Sequence, residues 1–128
     1  MDKYKVLSIR PGYAMQIARR RKIIEFRKWA TEYRGPLLIH SSGKKDRCGI
    51  EYNGEPIKII PGHIIAVAEL NRVAWVEPEG CFYWYLSGAR FIKPIPEKGK
   101  LWLWEYKEPI EPITSPEEYE KYIEPLLI

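Results

Sequence analysis

Cysteine, histidine and long apolar runs are what this chain has least of. Its two cysteines, Cys48 and Cys81, are too few for a disulfide framework and lack Cys-x-x-Cys spacing, so both are expected as reduced structural thiols. The two histidines, His40 and His63, stand at no metal-ligand spacing to each other or to the cysteines, and no metal site is expected. No glycine-rich phosphate cradle or nucleophile elbow occurs, so no cofactor is expected either. The longest apolar runs, such as Ile64 to Ala68, fall far short of the ~20 residues that cross a bilayer. Met1-Asp2-Lys3-Tyr4 contains no apolar core of a signal peptide. These scarcities predict a cytoplasmic protein without a membrane segment.

Bulk for a core is plentiful. Five Trp, nine Tyr and three Phe stand among 128 residues that are 45% hydrophobic, which predicts a single folded domain spanning 1–128 with no need of a metal or disulfide staple. The net charge of +4 hides an asymmetry. Residues 105–128 carry seven acidic and two basic side chains, which leaves +9 on residues 1–104. A basic body points towards an anionic partner, and equally well describes a mixed, solvated surface.

Alternating apolar and polar residues predict a first strand over Tyr4 to Ile9. Pro11 opens a short helix with Tyr13, Ala14, Ile17 and Ala18 at helical spacing, and Arg19 and Arg20 are placed in its last turn. Lys22 to Trp29 is predicted as a second strand, with Ile23, Glu25, Arg27 and Trp29 on one face and Lys22, Ile24, Phe26 and Lys28 on the other. Leu37 to His40 forms a short buried strand, and Ser41 to Gly54 a polar loop long enough to be functional. Further strands are predicted over Ile64 to Val73, Phe82 to Leu86 and Leu101 to Tyr106, with Ser87 to Lys100 as a linker. Ser115-Pro116-Glu117-Glu118 is a capping box that starts a helix over Pro116 to Glu124. This helix lies in an acidic extension, residues 107–128, and turns Tyr119, Tyr122 and Ile123 to one side. Six short strands with little helix predict an α+β, β-rich fold built on a closed or nearly closed small barrel.

Several stretches resemble the ASCH family, named for homology to the activating signal cointegrator. They are Leu7-Ser8-Ile9-Arg10-Pro11, Lys22-Ile23-Ile24-Glu25-Phe26-Arg27-Lys28-Trp29, Tyr33 to Ser42, Ile65 to Leu70 and Pro94 to Trp104. Together they cover roughly residues 5 to 105 in the family's order. The resemblance implies a PUA-like β-barrel of about six strands with flanking short helices and a cleft that holds RNA or a nucleotide-like ligand. Lys22, Glu25 and Arg27 would line the cleft, with Ser42 close by. The chain departs from the family pattern two residues before the lysine, where a glycine is usual and Arg20 stands instead.

Arg19, Arg20, Arg21, Lys22, Arg27 and Lys28 place six positive charges within ten residues, opposed only by Glu25. Like charges this close repel unless an anion is present. The favoured expectation is an RNA-binding or single-stranded nucleic-acid-binding module. Arg10, Arg20, Lys22, Lys44, Lys45 and Arg47 would take phosphates, bases would enter beside Glu25, and Tyr13, then Trp29, would stack on them. Glu69, inside an apolar strand, is a buried-carboxylate candidate paired with Arg27 or Lys22. The alternative is a hydrolase acting on RNA or on acetylcytidine, using Lys22, Glu25 and Glu69. Glu25 occupies the position of the threonine that the related amidohydrolases use, which argues against that particular activity. A third reading is a sensor of nucleotides or modified bases.

Overall fold

The computed structural model describes residues 3–43 and 51–128. The alternation in Tyr4–Ile9 forms β1, and Pro11 then opens α1 (Pro11–Ala18) at a position where its missing N–H needs no partner. The chain continues through β2 (Ile24–Arg27), β3 (Gly35–Ser41), a two-residue hairpin of β4 (Glu51–Tyr52) and β5 (Glu55–Pro56), β6 (His63–Val76), β7 (Cys81–Pro96) and β8 (Leu103–Tyr106). It ends on α2 (Pro116–Tyr122) and a short 3-10 turn. The main sheet has the order β2-β7-β6-β3-β1-β8, with β1 and β3 parallel and the other neighbours antiparallel.

The fold is α+β and strand-rich, as expected, but the sheet does not close into a barrel. Among the described residues β2 and β8 are its two edges. Both are four residues long, and each is laddered on one side alone, β2 to β7 and β8 to β1. Instead the sheet curls, helped by three register shifts in the β6–β7 ladder that bend and twist the strands. The curl brings β2 within side-chain reach of β1, where Arg27 Nη2 donates to the Ser8 carbonyl at 2.8 Å. Side chains bridge a gap that backbone ladders leave open.

The segment expected as a linker is mostly strand, because β7 runs on to Pro96. Pro94 is tolerated inside it because the β6 ladder skips there, jumping from the Ile64–Ile95 pair to the Ala66–Phe91 pair. No ladder hydrogen bond is asked of the proline.

Alternation on β1 and β3 feeds two cores. Leu7, Ile9, Leu37 and Ile39 pack with α1, Trp84 and Ile123. Val6 and Leu38 turn the other way and meet Ile64, Ile92 and Trp104. α2 docks on the first core with Ile123 fully buried and the Tyr119 ring 5.6 Å from Phe91. Its cap works as the sequence suggests, Ser115 Oγ accepting from Glu118 N–H at 3.1 Å. The Glu118 carboxylate reaches back one residue further than a standard capping box, to the Thr114 N–H at 2.8 Å.

Helix α1 ends two residues before the expected Arg20. Arg19 is its C-cap, and Arg20, at φ +61°, is the left-handed residue that ends it. Arg20 N–H donates to Ile17 O at 2.9 Å and Arg21 N–H to Gln16 O at 2.8 Å. This hydrogen-bond pair is the Schellman motif, in which glycine is the usual left-handed residue. A glycine at this place in the family pattern therefore has a conformational reason, and Arg20 adopts the same backbone at some cost.

Residues 97–102 form a wall over the β1 and β3 ends. His40, fully buried, hydrogen-bonds the Glu97 carbonyl through Nε2 at 2.8 Å. Gly99 lies so close that a Cβ there would sit 2.9 Å from His40 Cε1 and 3.0 Å from Ser8 Oγ. Since the His40 ring is pinned, Gly99→Ala is expected to destabilise the fold by about 1–3 kcal/mol, the usual cost of overpacking. Denaturant unfolding measures this, and an unchanged midpoint would mean the wall does not press on His40.

Candidate nucleic-acid interface

Glu25 and Arg27 share a strand face, as alternation requires, and Glu25 stands opposite Trp84 on β7. Lys22 precedes β2 rather than belonging to it. Freed from strand alternation, its ammonium swings to the same side and comes 3.6 Å from Glu25 Oε1, while Arg27 Nε binds Glu25 Oε2 at 2.9 Å. The buried carboxylate is thus held between two cations. Lys22 Nζ also donates to the Ile24 carbonyl at 2.5 Å and lies 4.3 Å from the Phe26 ring centroid and 5.2 Å from that of Tyr13. Burial lowers the Lys22 pKa below its ordinary 10.5, outweighing the attraction of Glu25, with Arg27 repulsion adding to the lowering.

The basic cluster disperses in three dimensions. Arg19 donates to the Tyr119 hydroxyl at 2.8 Å, Arg20 to Ala89 O at 2.5 Å and Lys28 to Gly80 O at 2.9 Å. The Arg21 guanidinium lies 4.9 Å from the Tyr52 ring centroid. Each charge finds a partner within the chain, and repulsion among neighbours in sequence is relieved by pointing them apart. The left-handed turn at Arg20 does much of this. Arg10 is exposed at the start of α1. Tyr13 is 36% exposed beside Lys22. Lys44, Lys45, Arg47 and Cys48 lie outside the described residues.

Glu69 is not the buried carboxylate that the apolar run suggests. Its side chain is exposed and forms no ion pair with Arg27 or Lys22 among the described residues. Instead, Oε2 sits by the turn at Gly35, and its charge helps raise the Tyr33 pKa, secondary to burial of that phenol. The suggested set of Lys22, Glu25 and Glu69 is therefore joined by contact only between its first two members.

The concave surface lies beside this triad. One hollow of about 240 Å³ is lined by Leu7, Ser8, Arg27, Trp29 and residues 100–102. A second, of about 480 Å³, is lined by Ser8, Ser42, Gly43, Gly62 and residues 97–101. They share Ser8, Lys100 and Leu101, so together they form one groove. Arg27 stands at one end and Ser42 at the other. Lys98 and Lys100 lie along the wall; neither has a carboxylate partner among the described residues, and the Lys100 ammonium lies 5.4 Å from the Trp104 ring centroid. Near the floor, Ser8 Oγ accepts from Trp104 Nε1 at 3.2 Å. His40 Nδ1 and Ser41 Oγ are buried without a hydrogen-bond partner among the described residues. Burial lowers the His40 pKa, and its bond to a carbonyl requires the proton on Nε2, so Nδ1 is a bare acceptor in the neutral ring.

Sequence reasoning missed Lys98, Lys100 and Trp102 as groove residues. Lys98 and Lys100 fall in the segment expected as a linker, and strict alternation along the expected strand Leu101 to Tyr106 would put Trp102 on the same face as Trp104. Trp104 is buried, whereas Trp102 is 62% exposed and sits at φ +61°, just before β8 begins. The signal available was Gly99 flanked by two lysines. Cys81 is free and buried, and no group of metal-ligating side chains occurs among the described residues. No helix among them is long and apolar enough to cross a membrane.

A titration of the Lys22 ammonium followed by NMR is expected to give a midpoint below 10.5. Glu25→Gln should lower it further by removing the opposing attraction. Between the folded midpoint and 10.5 the unfolded chain holds more protons on this lysine, so its contribution makes stability rise with pH through that window. A midpoint at or above 10.5 would show that Glu25 outweighs desolvation.

The ASCH domain family model matches residues 7–125. No curated protein matches the chain. The matched span contains every residue that lines the groove, from Leu7 to Trp102. The chain belongs to the ASCH domain family.

Proposed function

We propose that this ASCH domain is a cytoplasmic binding module for single-stranded nucleic acid, RNA in the first instance, and that the strand lies in the groove between Arg27 and Ser42. The observation that carries the reading is the groove wall, where Lys98 and Lys100 line a concavity without carboxylate partners. Cations without a carboxylate partner can take an anionic ligand without breaking an ion pair, and the ring beside Lys100 leaves its charge unneutralised. The helix-end arginines, each engaged internally, are poorer candidates.

In this reading Lys98 and Lys100 contact phosphates and Arg27 offers the outer face of its guanidinium. Lys44, Lys45 and Arg47, which follow Ser42 in the chain, lie outside the described residues and are proposed from the sequence alone to take further phosphates. Glu25 orients Arg27 and does not itself meet a base. Tyr13 and Lys22 form a shoulder beyond the groove with Arg10 and Arg20 outside it. The curled sheet, with helices at its flanks, suits the PUA-like architecture that the family resemblance implies. A groove of this volume is also within the ~300–1,000 Å³ range of small-ligand sites, which keeps a nucleotide or modified-base sensor as the form the function takes if mononucleotides bind as tightly as oligomers.

A hydrolase is the second reading, favoured by the lowered Lys22 pKa beside a carboxylate. Against it, the Lys22 ammonium is already committed to Ile24 O and Glu25. Incubation with labelled RNA and with acetylcytidine decides, and turnover abolished by Lys22→Ala would replace the binding module with an enzyme.

For the binding module, the affinity for a short RNA oligomer is expected to fall with salt, log Kd changing by about 0.7 per log unit of salt for each phosphate contact. Replacing both Lys98 and Lys100 by alanine should make that dependence shallower by about 1.4. A salt-independent affinity, or a double variant with an unaltered slope, would move the phosphates elsewhere.

A further inference from the structure

Trp102 has two properties that a purely structural tryptophan would not combine. Its backbone is in the left-handed region, where a bulky side chain is strained and glycine is favoured. The residue nevertheless remains 62% exposed, so burial recovers only part of what the conformation costs. Leu101 beside it is 83% exposed, and both line the hollow that contains Arg27 and Lys100.

The Trp102 contacts leave room for a ligand. Its ring meets Trp29 edge to face, with centroids 5.0 Å apart and planes at 78°. A perpendicular pair uses at most one face of either ring, so at least one face of the Trp102 indole is uncovered by this contact. Trp29 in turn abuts the fully buried Trp84 at 4.8 Å, again perpendicular. Trp102 is thus the outermost member of a three-tryptophan chain rooted in the core, and is held by that chain in a fixed orientation. Fixed aromatic faces beside cations are what unpaired bases stack upon, because every base has a π-face and a phosphate attached nearby.

We propose that Trp102 is the platform of a one-base subsite, on which an unpaired nucleobase stacks while an adjacent phosphate lies against Lys100. This rests on the groove being the nucleic-acid site, and adds that the base contributes to affinity there, not the backbone charge alone. The subsite reads no sequence, since stacking discriminates little among bases.

The test uses the intact chain with a fluorescent oligouridylate and an abasic chain of the same length and charge. Wild type is expected to bind the oligouridylate at least about fivefold more tightly than the abasic chain, the lower end of what stacking contributes per base. Trp102→Gly should bind both probes equally weakly, and should unfold at the same temperature as wild type or higher, because glycine relieves the strain. Trp102→Phe should keep most of the preference, and Trp102→Leu, similar in apolar character without a π-face, should lose it. The leucine variant still decides the matter if the glycine variant fails to fold. Undiminished base preference in Trp102→Gly or Trp102→Leu, with the salt dependence intact, overturns the subsite and leaves the binding module standing. If wild type binds neither probe, the module itself falls and the subsite with it.

Discussion

The buried carboxylate of Glu25 is the constraint around which this molecule is organised. A charge held away from water must be paired and hydrogen-bonded, and β2 answers with Arg27 two residues on. That same guanidinium donates its Nη2 to the Ser8 carbonyl. One ion pair therefore fixes the rotamer of an arginine that also ties the first edge of the sheet to β1. Removing either member of such a pair strands the other, a change that typically costs about 3–5 kcal/mol. Here the cost would fall on the curl of the sheet as well, because no backbone ladder joins β2 to β1 or β8 among the described residues. The groove exists because this gap is bridged at a point, by a side chain, instead of being zipped shut.

The same constraint explains the chemistry available to Lys22. A lysine in open water beside a glutamate would be held charged. This one is drawn into a half-buried position by Glu25, the Ile24 carbonyl and two aromatic rings. Desolvation then works against the charge that the carboxylate invites. The opposing effects make Lys22 more easily deprotonated than an ordinary lysine. Its orbit of internal partners also keeps it from reaching into the groove. Position and protonation state are thus set by the same surroundings: the carboxylate that draws the lysine in also places it where burial disfavours its charge.

Much of the fold could be read from alternation. The shared face of Glu25 and Arg27 on β2 follows from period-two patterning, and the Ser115 cap of α2 from residue types alone. What could not be read depends on backbone conformation at single residues. Arg20 turns left-handed and scatters a dense run of charge to Tyr119, Ala89 and, through Arg21, Tyr52. Counting charges along a sequence measures their density but not their directions, and here a dense run along the chain is divided in space among several separate partners. Trp102 turns left-handed as well and leaves the face it would have shared with Trp104. The continuation of β7 through Gly88 and Pro94 was hidden for a related reason, since ladder irregularities absorb residues that normally signal a break.

Charge matters in this molecule according to what it lacks. Most of the arginines and lysines near α1 and β2 already have an oxygen or a ring within the chain, and an incoming phosphate would have to displace that contact before gaining its own. Lys98 and Lys100 flank Gly99, whose backbone is pressed against His40 and Ser8 so closely that no side chain fits between. The tight approach brings the wall down onto the sheet and leaves the two lysines along the rim of the hollow. A missing Cβ thus does for the wall what the Glu25–Arg27 pair does for the opposite bank: each fixes a boundary of the groove through a single close contact. The acidic tail does not fill the space between them, because α2 is anchored through Tyr119 and Ile123 against Phe91 and the first core. Lys98 and Lys100 are therefore left along the groove, where an anion can meet them without breaking an ion pair among the described residues.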